Sequence, residues 1–435
     1  MMNNHGFMIF SLAAVFVAIV LNNKTKRNTG LYAIAFAYLI GCFGMGMKVS
    51  ALTQLFSVKI LFLLMSVSLF YGYAVNNGTL QVLASQIIYR FQNRAKIIPF
   101  ILYFVCFILA VFGASPPVVC SFMAPICFAI AAKTGIHPAI MGMLIATGSG
   151  AGACVPWGTA GAVICGMAKD TQFSEHAFGI SMKICFNFFA GALLVLIVLY
   201  MALKGYEARP MYLKKPERLN KVQKTNLLIV LTALAVMLIP ALTEIVAPNP
   251  VTGYLNRYFD PQMISILGAI ACSALGLGDE KKIIRDVIPW GTILSVCGIN
   301  MLLGVATEAG IMELVESFLH SDISMGLIVL VLIVCGGFLS FFTGGVTVVI
   351  PLLMPIALSV TAARDANLTL MTSAAALGAL ATGMSPFSTG GSLVVAGIPD
   401  EDERVKMVNW QLMVTFVVWG FFILFGVTGL YGLLD

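Results

Sequence analysis

Apolar residues in this chain come in long runs broken by short polar stretches. Runs at about 7–21, 30–48 and 57–75 predict three membrane spans, and 79–93 mixes charge with apolar spacing as a connecting or interfacial helix would. Residues 97–132 then carry no charge for thirty-six positions. One helix of that length would measure about 54 Å, against a bilayer core of about 30 Å. It must fold back, and Gly113-Ala114-Ser115-Pro116-Pro117 is the natural turn. The arms 97–112 and 118–132 would each reach only about 23–24 Å, which predicts a re-entrant hairpin. A broken span at 138–168, a span at 177–203 and a basic linker at 204–224 follow.

The second half repeats the series. Spans are expected at about 226–246, 261–277 and 289–307, with a short amphipathic piece at 311–319. A second hairpin follows at 325–360, with arms 325–342 and 346–360 and its turn at Thr343-Gly344-Gly345. A broken span at 367–398 and a last span at 409–432 complete the chain. The expected fold is thus an all-α polytopic membrane protein of two inverted repeats, 1–203 and 225–435. Each repeat holds five spans, one re-entrant hairpin and one broken helix.

The breaks carry the clearest pattern. Val155-Pro156-Trp157-Gly158-Thr159-Ala160-Gly161 is answered by Ser385-Pro386-Phe387-Ser388-Thr389-Gly390-Gly391, 230 residues later. The same offset pairs Pro125 with Pro355, Gly148 with Gly378 and Asp170 with Asp400. Proline removes a backbone donor and glycine loosens the helix. In lipid, the freed backbone is tolerated only where protein buries it or a cavity receives it. Repeats flanking such midplane breaks are the usual construction of secondary transporters.

Basic residues set the expected orientation. With 204–224 in the cytoplasm, nineteen of the 25 Lys and Arg residues fall on the inside, Lys281, Lys282, Arg285, Arg404 and Lys406 among them. Both termini then lie outside. Five crossings per half is odd, so the halves run in opposite directions.

Composition agrees: 60% hydrophobic residues, 10% charged and a mean hydropathy of +0.97 exclude an ordinary soluble domain. The net charge of +6 sits in short loops rather than on one patch, which gives no footprint for nucleic acid. Ten scattered cysteines form no CxxC pair and read as small buried thiols. The basic cluster Lys24, Lys26 and Arg27 follows the first apolar run, unlike a secretory signal. HExxH, GxSxG and phosphate-loop patterns are absent, so an enzyme is not expected. The turns and breaks instead supply hydroxyls on Ser115, Thr159, Thr343, Thr347, Ser385, Ser388 and Thr389, with carbonyls suited to a hard monovalent cation. Half-helix starts suit a carboxylate. No Lys or Arg lies inside these four segments. Glu308 and Glu313 are the better proton-relay candidates, although an outside loop suits them.

The order of three spans, hairpin, broken span and sixth segment, duplicated and inverted, resembles the ion transporter superfamily, which includes the divalent anion–sodium symporters. Asn76-Asn77-Gly78-Thr79-Leu80, Met123-Ala124-Pro125-Ile126 and Gly135 through Gly150 are more specifically similar to the MatC-type malonate/dicarboxylate carriers. The symporters carry Ser-Asn-Thr at each hairpin tip, where this chain has Ser115-Pro116-Pro117 and Thr343-Gly344-Gly345. Only the leading hydroxyl carries over. The resemblance implies one cation site from Ala114, Ser115, Gly152, Gly158 and Thr159, and a second from Thr343, Gly345, Thr382, Ser385 and Thr389. Substrate would lie between them on Ser115, Pro116, Thr159, Thr343, Gly344, Ser388 and Thr389. A scaffold-and-elevator arrangement and a homodimer are also implied.

The reading from sequence is a multi-pass protein of a bacterial inner membrane that carries a small carboxylate, a dicarboxylate by preference, with Na⁺ or H⁺. No cofactor or metal is expected beyond bound Na⁺. The alternatives are a Na⁺/H⁺ antiporter of the same superfamily and the membrane subunit of a binding-protein-dependent carboxylate transporter.

Overall fold

The computed structural model describes residues 4–25, 27–210, 215–246, 251, 254, 261–310, 323–341, 344–398 and 401–434. Among these the fold is all helical. The first half contains α1 (Asn4–Thr25), α2 (Thr29–Ala37, continued by a π turn to Gly44), α3 (Val49–Gln54), α4 (Val58–Asn76) and α5 (Thr79–Arg90). It continues with α6 (Ile98–Val111), α7 (Pro116–Thr134), α8 (Pro138–Ala153), α9 (Thr159–Ala168) and α10 (Ala177–Ala202). The second half contains α11 (Lys221–Val246), α12 (Pro261–Ala274), α13 (Trp290–Glu308), α14 (Met325–Ser340) and α15 (Ile350–Arg364). It ends with α16 (Leu368–Ala381), α17 (Thr389–Ala396) and α18 (Glu401–Val427).

Five helices are long and apolar enough to cross a membrane, and α4 with α5, bent by 59° at Asn77-Gly78, would make a sixth. The bend has a local cause. Gly78 adopts φ 77°, and Asn77 Oδ1 accepts from the Thr79 backbone N–H at 3.0 Å.

Several predicted ends move. α7 has 19 residues rather than 15, because Pro116 and Pro117 are welcome in a first helical turn and Gly135, at φ 76°, stops the helix after Thr134. The second arm of the later pair likewise runs on to Arg364, ended by Asp365 at φ 48°. Both second arms therefore reach span length, unlike the short arms expected. α11 starts inside the predicted 204–224 linker. Asn220 Oδ1 accepts from Gln223 N–H at 2.9 Å and Gln223 Oε1 from Asn220 N–H at 3.1 Å, a reciprocal cap that fixes the start at Lys221. The last helix starts at Glu401, not 409, with its acidic residues at the end where the helix dipole favours them. Arg404 and Lys406 thus stand on a helix rather than in a loop, and Arg404 donates to the Ile398 carbonyl. The predicted piece 311–319 with Glu313, Thr343 at the second tip, and Asp400 lie outside the described residues.

Packing falls into two groups. In one, α2 crosses α13 and α4 runs against α12. The α2–α13 crossing is so close that a Cβ on Gly298 would stand 2.6 Å from the Gly30 carbonyl oxygen. In the other, α6 packs along α8 and α14 along α16. The two halves interlock here: α17 lies on α7, and α15 on α9. Asn187 on α10 ties them further, donating to Ser373 Oγ and to the Tyr431 carbonyl, each at 3.0 Å.

The crossing at Gly30 and Gly298 gives a stability test. Gly298→Val should ease unfolding by about 1–3 kcal/mol, the usual cost of overpacking, read as a lowered thermal midpoint in detergent.

Candidate functional site

The first break covers Cys154–Gly158, between α8 and α9. Its freed carbonyls find partners from outside the broken helix: Ser181 Oγ on α10 donates to the Cys154 carbonyl at 2.6 Å. Gly158 N–H turns back to the Val155 carbonyl at 2.7 Å. Gly161 must stay bare, since a Cβ there would stand 1.9 Å from the Val155 oxygen. Trp157 Nε1 donates to the Val111 carbonyl at 2.8 Å, fastening the break to the end of α6.

The second break, Thr382–Ser388, repeats this with other residues. Gln411 Nε2 on α18 donates to the Met384 and Gly391 carbonyls. Position 411 is 230 residues after 181, and 384 is 230 after 154. A Cβ on Gly391 would stand 2.0 Å from the Ser385 oxygen. Phe387 stacks on Phe341, centroids 6.0 Å apart, where Trp157 meets Val111 in the first half. Thr382 Oγ1 donates to the Gly337 carbonyl at 2.7 Å, and its counterpart Gly152 lies against the Phe107 carbonyl.

Both breaks and both turns border one cavity of about 360 Å³. Of the predicted site residues, Ser115, Pro116, Thr159, Gly344, Gly345, Ser388 and Thr389 line it. Ala114, Gly152, Gly158, Thr382 and Ser385 do not. They shape the backbone behind the wall. Thr382 is spent on Gly337, and Ser385 Oγ accepts from Phe387 N–H at 3.3 Å. Ser388 is committed too: its hydroxyl donates to the Gly383 and Ser385 carbonyls and caps α17 by accepting from Gly391 N–H.

Thr159 differs. It opens α9, and its buried Oγ1 has no hydrogen-bond partner. A buried polar atom left single costs about 1–3 kcal/mol unless something absent from the chain satisfies it. Ser340 Oγ is also buried and single, 3.0 Å from where a Cβ on Gly345 would stand. Ser115 precedes two prolines, and it makes no capping bond because Pro117 offers no N–H. These oxygens form a neutral donor set suited to a hard monovalent cation. Among the described residues, no group of three or more His, Cys, Asp and Glu could hold a metal.

Sequence reasoning missed several wall residues. Thr147, Ser149 and Thr292 add hydroxyl-bearing side chains, and Asp286 adds a carboxylate. Gly148-Ser149-Gly150 was a usable signal, small residues around a polar one in an apolar helix. Asp286 gave none, lying in a charged stretch that read as an ordinary loop.

The model of the Na⁺/H⁺ antiporter family matches residues 163–430, more than half of the chain. The chain belongs to this family of ion transporters. The model of the N-terminus of the dicarboxylate carrier protein MatC matches residues 2–153 of the same transporter. The two matches meet near the first break, and both agree with membership of the ion transporter superfamily. The crystal structure of the YdaH transporter of Alcanivorax borkumensis shares the fold. It is 13% identical with a TM-score of 0.61 over 90% of each chain. No curated protein gives a significant match. The family makes the protein a multi-pass membrane transporter and not an enzyme.

The clamp on the second break can be tested directly. Gln411→Leu removes both donors and strands the Met384 and Gly391 carbonyls. Unfolding should become easier by about 1–3 kcal/mol, measured as a fall in the thermal midpoint.

Proposed function

We propose that the protein is a symporter that carries a small carboxylate, preferentially a dicarboxylate, with Na⁺ or H⁺ by alternating access. The observation that carries this reading is the convergence of both turns and both breaks on one cavity, with the Thr159 hydroxyl buried there and unpartnered. The cavity has room for a molecule of several heavy atoms. Its wall offers hydroxyls, half-helix starts and carbonyls, which suit a carboxylate and a co-bound cation together. The MatC match covers the first turn and reaches the first break.

The architecture behind this function is two inverted repeats, 1–203 and 225–435, related by the 230-residue offset. Its support is the recurrence of particular contacts. Tyr103 OH donates to the Phe189 carbonyl at 3.0 Å, and Trp419 Nε1 donates to the Ile333 carbonyl at 3.2 Å, which is the same pair of positions with the donor on the opposite helix. The pairs α6–α7 and α14–α15 serve as re-entrant hairpins whose tips carry the site. The group holding the breaks moves as an elevator against the group built on α2, α4, α12 and α13. The basic segments 204–224 and 281–285 face the cytoplasm, and both termini face outside.

One cation site lies at Ser115 and Thr159, with Ala114, Gly152 and Gly158 shaping its backbone. A second lies at Gly345, Thr382, Ser385 and Thr389, with Thr343 at its tip. Substrate bridges them through Ser115, Pro116, Thr159, Gly344, Ser388 and Thr389.

The antiporter reading has its own support in the name of the matching family and in Asp286 on the cavity wall. It needs a group that exchanges protons during transport. The Arg285 guanidinium, bonded to Asp286, holds that carboxyl below the usual carboxylate range and favours its charged form. Purified protein that dissipated a preset pH gradient with Na⁺ and no organic anion would establish exchange instead. Transport by the purified chain alone would exclude dependence on a separate binding protein.

Proteoliposome uptake tests the site. Thr159→Val and Thr389→Val should each raise the cation concentration needed for half-maximal succinate or malonate uptake about tenfold, one hydrogen bond or ligand being worth about 1.4 kcal/mol. Thr159→Ser should restore it. Unchanged uptake and cation dependence in both valine variants would remove the site assignment.

A further inference from the structure

Asp286 is the one charged residue on the described wall of the cavity. A carboxylate is a poor wall for an anionic substrate, since like charges repel most where water is partly excluded. Its neighbour changes the balance. Arg285 Nε donates to Asp286 Oδ1 at 2.7 Å, and its Nη2 donates to Oδ2 at 2.9 Å. The guanidinium therefore grips both carboxylate oxygens in the forked geometry that makes arginine the preferred carboxylate partner.

The backbone beneath this pair is anchored. Arg285 and Asp286 lie on the π turn Ile283–Val287, just before α13. Trp290 Nε1 donates to the Ile284 carbonyl at 2.7 Å. Ile283 and Val287 press on Gly72 of α4, where an added Cβ would meet them at 2.5 and 3.3 Å. Above this base both charged side chains stay open, at 76% and 42% exposure. An exposed pair of this kind adds little to stability and can change partners freely. The first half has no equivalent: 230 residues earlier stand Leu55 and Phe56. The pair is thus an addition on one side of the cavity and not part of the duplicated plan.

We infer that Arg285 is the first carboxylate-binding group at the mouth of the cavity, kept extended by Asp286 and passed to an incoming substrate carboxylate in exchange for it. This rests on the proposed carboxylate substrate. The exchange swaps one carboxylate for another on the same guanidinium, so the arginine stays paired throughout. Asp286, released, becomes a counter-charge for the cation that accompanies the anion. An anion is admitted past an acidic wall because the acid holds the receptor for it.

The test is equilibrium binding of succinate and of malonate to the purified full-length protein in detergent, with Arg285→Gln, Asp286→Asn and the double variant. Removing the competitor should tighten binding in Asp286→Asn about threefold at low salt, the scale of an exposed ion pair. Arg285→Gln should weaken it by a similar factor. In the Arg285→Gln background, Asp286→Asn should no longer tighten binding, because there is nothing left to release. The gain in Asp286→Asn should also fade between about 0.01 M and about 1 M salt, as screening shortens from about 30 Å to about 3 Å. An unchanged or weaker affinity in Asp286→Asn would overturn the exchange, and so would tightening that survives the loss of Arg285. Because both side chains are exposed, thermal midpoints without ligand should match the unaltered protein, which separates binding from folding. Failure of the unaltered protein to bind either acid would overturn the carboxylate reading and the exchange together. Binding that ignores all three variants would overturn the exchange alone.

Discussion

A helix broken inside a membrane leaves backbone carbonyls and N–H groups without their usual partners, and lipid offers none. The rest of this structure depends on meeting that demand twice. At the first break Ser181 reaches the Cys154 carbonyl, and at the second Gln411 reaches the Met384 and Gly391 carbonyls. Both donors come from the helix that follows the break, so α10 and α18 act as splints. Glycine does the complementary work. Gly161 and Gly391 let the carbonyl-bearing chain pass within a distance that any side chain would forbid. The helices beside each break are therefore held by polar contacts whose loss would be costly, while the hydroxyl of Thr159 is left over.

The same geometry is reached with different residues in the two halves, which shows what is being held constant. Gly152 meets the Phe107 carbonyl by close approach, and Thr382 meets the Gly337 carbonyl by a hydrogen bond. Trp157 donates a bond where Phe387 only stacks. What recurs is the distance between a break and the helix packed beside it, not the chemistry that sets it. Gly148 and Gly378 keep their identity because a Cβ at either would strike backbone of α6 or α14, at 2.8 and 2.7 Å.

Much of this could be read from the sequence, for a physical reason. Proline, glycine and small hydroxyl residues mark where helical hydrogen bonding stops, so both turns and both breaks were visible as local composition. Helix ends were harder because charge was taken for loop. The Asn220–Gln223 cap and the acidic start of α18 show charged residues serving as helix ends instead. The splints were invisible one at a time. Ser181 and Gln411 look like incidental polar residues in apolar helices, and only the 230-residue register pairs them. Asp286 belongs to neither repeat, so no internal comparison could reveal it.

The departures from symmetry also bear on how charge is handled. Pro116 and Pro117 bring no N–H to the first tip, so α7 begins with two donors missing. Gly344 and Gly345 at the second tip keep theirs. The first half thus presents mainly oxygens to the cavity, on Ser115, Thr159 and the break behind them. The second half presents more backbone N–H groups, and it also contributes the segment bearing Arg285. Oxygens suit cations, and N–H groups with a guanidinium suit carboxylates. A duplicated frame with equal halves would offer both ligands the same surroundings on each side. Replacing an expected asparagine by proline on one tip and by glycine on the other makes the two sides chemically unequal while leaving the frame intact.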